Sequence, residues 1–138
     1  MLIRNILEES VRKFDEVKAV KWLNKKEIME RSYGELMENV VSTRKGLLAE
    51  GFEGKHIALI GTSSVEWMES YLGIITGCTT AVPLDAALPC EDMIDLLNRS
   101  DSVALFLSPK LRPYLDAFLE NCPKLQKVWM LQEEVEDA

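Results

Sequence analysis

The sequence predicts an α/β fold: a Rossmann-like parallel sheet flanked by helices on both faces, with an N-terminal helix and a β-hairpin ahead of it. Three observations carry this. His56-Ile57-Ala58-Leu59-Ile60-Gly61 is a short, nearly all-apolar run, and Thr79 to Leu84, Val103 to Leu107 and Val128 to Leu131 resemble it. Such runs are what a strand covered on both faces requires. Their cores recur about every 23 to 25 residues, and each interval holds a helical pattern. A crossover of that size is what parallel strands need, and right-handed crossovers then wind the sheet on both sides.

The elements follow in order. Leu2, Ile3, Ile6, Leu7, Val11 and Phe14 share one stripe of a helix over residues 2–14, with Arg4, Glu8, Arg12 and Lys13 opposite. Ala19 to Leu23 and Glu27 to Ser32 flank the polar turn Asn24-Lys25-Lys26 and predict a hairpin. Ser32-Tyr33-Gly34-Glu35 fits a capping box. Behind it, Tyr33, Leu36, Met37, Val40, Val41, Leu47 and Leu48 keep a helical period that Gly51 is placed to end. Ser63-Ser64-Val65-Glu66 is a second capping-box fit, Pro89 suits a first helical position, and Ser108-Pro109 pairs a cap with a first residue. The helix over 65–76 is apolar on most of its circumference and is expected to be deeply buried. The helix over 109–121 carries a narrow stripe of Leu111, Tyr114, Leu115 and Phe118. Residues 1–132 read as one subdomain and 133–138 as a frayed acidic tail.

The 138 residues carry a net charge of −7, and 47% are hydrophobic. This suits one globular domain, and an acidic surface disfavours nucleic acid. Lys25-Lys26 and Arg44-Lys45 read as solvated charges. Cys78, Cys90 and Cys122 are odd in number and far apart, which argues against a disulfide framework or a zinc site. Together with the lack of a signal-like start, they point to a cytoplasmic protein. The most apolar stretch, Tyr71 to Leu84, is too short to span a bilayer.

Several places could hold chemistry. Gly61-Thr62-Ser63-Ser64 lies between a strand and a helix, where amides can hold an anion, but it has neither further glycines nor a lysine, and capping explains it as well. Gly77-Cys78-Thr79-Thr80 falls at a helix C-terminus, whose dipole repels anions. Asp85, at the carboxyl end of a strand, reads either as a ligand to a hydroxyl or metal, or as a turn residue. His56, the only histidine, opens a strand at the opposite end of the sheet. Trp22, Trp67 and Trp129 read as packing residues.

The order of segments resembles the N-terminal part of AMP-binding, adenylate-forming acyl-CoA synthetases. Ser32-Tyr33-Gly34-Glu35-Leu36 resembles the family's entry to its first long helix. Gly46-Leu47-Leu48 to Gly51 with Gly54-Lys55-His56-Ile57-Ala58-Leu59-Ile60 resembles the passage that follows, and Ser63-Ser64-Val65-Glu66-Trp67 the next helix start. Gly73 to Asp85 resembles the helix end and the strand closing in Pro-Leu. Glu66-Trp67 and Pro83-Leu84-Asp85 look most like long-chain fatty-acid CoA ligases, and the likeness runs from about residue 6 to residue 131. Thr62-Ser63 and Lys55-His56 depart from the family's commoner residues.

The resemblance implies a parent enzyme that turns a carboxylate and ATP into an acyl-adenylate, from which coenzyme A displaces AMP, with magnesium neutralising the phosphates. The family's phosphate loop, adenine-binding segment, ribose-binding aspartate and C-terminal lysine are not among these residues. No catalytic, cofactor-binding or metal residue therefore transfers to a number here, and no cofactor is expected in this chain itself. The expectation is a truncated piece or degenerate gene, inactive alone. Its partners would be the remainder of the synthetase, with fatty acid, ATP and CoA in the whole enzyme. A homodimer is also expected, through an apolar face around residues 65–76 or 128–131. The alternative is a non-catalytic α/β scaffold that binds a partner.

Overall fold

The computed structural model describes residues 18–24, 27–61 and 64–131. The helix expected over residues 2–14, the turn at Lys25-Lys26 and the acidic tail lie outside them. Strand β1 (Lys18–Asn24) pairs antiparallel with β2 (Glu27–Ser32). Helix α1 (Tyr33–Ala49) follows directly, and its start is the expected capping box. The Glu35 amide donates to Ser32 Oγ and the Ser32 amide to Glu35 Oε1, each at 3.1 Å. Its end is a Schellman motif. Gly51 sits at φ +75, the Phe52 amide donates to the Leu47 carbonyl and the Gly51 amide to the Leu48 carbonyl.

Four strands then form one parallel sheet: β3 (His56–Ile60), β4 (Thr80–Leu84), β5 (Ala104–Leu107) and β6 (Lys127–Met130), in the order β4-β3-β5-β6. Helix α2 (Val65–Ile75) joins β3 to β4, α3 (Cys90–Arg99) joins β4 to β5, and a 3₁₀ segment (Pro109–Tyr114) with α4 (Leu115–Asn121) joins β5 to β6. Side chains alternate across the sheet. Ile57, Leu59, Ala104 and Phe106 pack on one face with Leu47 of α1 and Ile74 of α2. Ala58, Ile60, Leu105 and Leu107 pack on the other with Met93 and Leu97 of α3 and Phe118 of α4. The chain moves one way from β3 through α2 on the first face. It returns through α3 on the second, the arrangement right-handed crossovers demand.

Several expectations need correcting in detail. The 109–121 helix is not one α-helix, because Pro113 lacks the N–H that an α ladder needs there, and the first half tightens to 3₁₀. At its start Ser108 closes the turn through its carbonyl, which accepts from the Leu111 amide at 2.9 Å. Pro89 occupies the N-cap position and Cys90 is the first helical residue. Helix α2 begins one residue later than its capping-box fit implies. Ser64 is the cap, its Oγ accepting from the Trp67 amide at 3.0 Å.

Helix α2 buries Val65 and Ile74 as its sequence predicts, and polar residues beside them. Glu69, Ser70 and Gly73 are buried, while Trp67, Met68, Tyr71 and Leu72 are only partly covered. Arg44 is not a solvated charge: it is 9% exposed and donates to Thr76 Oγ1 at 3.1 Å. Gly77 makes that burial feasible, since a Cβ there would lie 2.8 Å from Arg44 Cγ. Leu48, expected on the core stripe, is 46% exposed.

Candidate functional site

Ligands of open α/β sheets gather where neighbouring strands send their chains to opposite faces. Here that point lies at the carboxyl ends of β3 and β5, at Gly61 and Ser108. The space is filled. A Cβ on Gly61 would meet Ser108 Cβ and Leu131 Cδ1 at 3.2 Å and Trp67 Cδ1 at 3.3 Å. Gly61, Ser64 and Ser108 therefore fit a magnesium-bound triphosphate poorly: Ser64 is engaged in capping α2, and the nearest described neighbours of Gly61 are side-chain carbons of Leu131, Ser108 and Trp67. Thr62 and Ser63 lie outside the described residues.

The other candidate residues make local contacts. At the end of α2, Thr76 Oγ1 donates to the Leu72 carbonyl at 2.6 Å and Thr79 Oγ1 to the Ile74 carbonyl at 2.8 Å. Cys78 carries the positive φ of 64 that turns the chain into β4. Asp85 Oδ1 accepts from the Ala87 amide at 2.9 Å, a turn bond. His56 is exposed at the start of β3, its Nδ1 2.6 Å from the Ser100 carbonyl oxygen. That carbonyl can only accept, so Nδ1 carries the proton. Trp67 stacks on Tyr71 with centroids 5.3 Å apart, and Trp129 on Phe106 at 5.0 Å. The Trp22 side chain lies outside the described part of the molecule.

The feature without a local signature in the sequence is a cleft of about 490 Å³. Asn39 and Gly46 of α1 form one wall, Glu66 and Glu69 of α2 another, and Phe106 and Trp129 the floor. Arg31, at the end of β2, spans the two acids. Its Nε lies 3.2 Å from Glu69 Oε2 and an Nη 3.8 Å from Glu66 Oε1. Asn39 Nδ2 donates to Glu69 Oε2 at 2.6 Å. Glu69 is 4% exposed. Burial pushes its carboxyl above the ordinary value; the Asn39 hydrogen bond and the Arg31 charge pull it down, and Glu66 and Glu35 push it further up. The group ties β2, α1 and α2 together. Glu69 falls four residues from both Val65 and Gly73, on one face of α2, which places the acid on that helix but not the cleft around it.

Among the described residues, no helix is long and apolar enough to cross a membrane. Comparison with curated proteins finds no match. Solved structures share the fold. Coronafacic acid ligase from Pectobacterium brasiliense superposes with a TM-score of 0.86 at 21% identity, over 99% of this chain and 27% of that one. The N-terminal domain of FACL13 from Mycobacterium tuberculosis gives 0.83 at 18%, over 94% and 33%. The anthranilate CoA ligase AuaEII, solved with anthranoyl-AMP, gives 0.82 at 18%, over 94% and 25%. The chain thus spans about a quarter to a third of these structures. A model of the AMP-binding enzyme family matches residues 7–137, nearly the whole chain, and with the sheet order and faces above it places this chain in the AMP-binding enzyme family.

Proposed function

We propose that this chain supplies the N-terminal scaffold of an ATP-dependent acyl-CoA synthetase and does not catalyse the reaction alone. In the whole enzyme a carboxylate oxygen attacks the α-phosphorus of ATP and pyrophosphate leaves. The thiolate of coenzyme A then attacks the acyl carbon and AMP leaves. The first step makes an electrophile of a carboxylate that is otherwise unreactive toward a thiol. The acid is a fatty acid, the setting is cytoplasmic, and the chain works with the remainder of the synthetase.

The observation that carries this reading is the family match over residues 7–137 on a sheet whose switch point is packed with Trp67 and Leu131. Phosphoryl chemistry depends on positioned charge around the phosphates, and the three described atoms nearest a Cβ on Gly61 belong to Leu131, Ser108 and Trp67, none of them charged. The test is ATP–pyrophosphate exchange with a panel of fatty acids. The chain alone gives no exchange. Mixed with the downstream part of a related synthetase, it restores exchange above that part's own background. Exchange by the isolated chain would overturn the proposal.

A further inference from the structure

We draw no further inference here: the strongest candidate, the thiols of Cys90 and Cys122 in the core cluster beneath α3 and α4, carries nothing, because Cys90 opens α3 while Cys122 follows Asn121 near the other end of that helix, where Asn98 Nδ2 donates to the Asn121 carbonyl at 3.0 Å, so nothing in the structure brings the two sulfurs within bonding reach.

Discussion

Gly73 lies where α2 meets α1 with no room for a side chain. A Cβ there would sit 2.5 Å from Thr43 Cβ and 3.0 Å from the Val40 carbonyl oxygen. Replacing a mid-helix glycine by alanine gains about 1 kcal/mol of helix propensity, but forcing a methyl into a filled contact costs about 1–3 kcal/mol. The overlap involves backbone and a Cβ, neither of which can swing aside, so the cost wins. Gly73→Ala is expected to lower the urea midpoint, and Gly73→Val to lower it further. Thr43→Gly should recover part of the loss, a coupling that a double-mutant cycle measures. Glu69 gives the second prediction at this scale. Its carboxyl is raised above 4.5, chiefly by burial. From about that pH up to the raised value, the folded chain holds a proton the unfolded chain has lost, so stability falls as pH rises. Glu69→Gln removes that slope. The stability of the parent chain relative to the variant should decline upward from pH 4.5 and then level off. A relative stability that instead rises with pH would mean the Arg31 pair outweighs desolvation.

At the scale of elements, the end of α1 depends on one backbone conformation. Gly51 at φ +75 lets the Phe52 and Gly51 amides satisfy the last carbonyls of the helix, and Phe52 then packs with Leu47 in the core. A β-branched side chain in that left-handed conformation costs about 1–2 kcal/mol, so Gly51→Val should lower the thermal midpoint, with Gly51→Asn losing less. This cap is legible in the sequence because a glycine directly after a long helical period has one main physical use, to take the left-handed turn that closes the helix. The strands are legible for a related reason: Ile57 to Ile60 and Ala104 to Leu107 are buried on both faces and must be apolar throughout. Legibility fails where two local rules compete. Pro113 sits within an apolar helical stripe, yet its missing N–H decides the geometry. Ser63 and Ser64 both fit a cap, and the choice falls to Ser64, with Glu66 drawn toward Arg31. The cleft is illegible because Arg31, Asn39, Glu69 and Trp129 come from four elements, and only tertiary packing brings them together. Arg44 has the sequence surroundings of a solvated charge because its partner Thr76 is 32 positions away.

At the scale of the whole molecule, the described sheet has two edges, and they are not equivalent. The Thr80 amide points to β3, donating to the Lys55 carbonyl at 3.0 Å. Amides alternate sides along a strand, so Val82 and Leu84 also point inward, while Ala81 and Pro83 point away from the sheet. Pro83, paired with Leu59, therefore lacks its N–H on the outer edge, where no ladder bond is lost. There it removes a donor that another chain could use. The β6 edge has no such block, and the amides of Val128 and Met130 point outward, since the Leu131 amide donates inward to the Leu107 carbonyl at 2.9 Å. Among the described residues, the sheet thus carries a proline block on the β4 edge and none on the β6 edge. Pro83→Val tests the blocked edge. Because Pro83 is exposed and makes no inward bond, monomer stability should shift by no more than about 0.5 kcal/mol, while sedimentation velocity should show more self-association than the parent chain. A large loss of stability with no added association would mean that Pro83 holds the strand in place rather than guarding its edge.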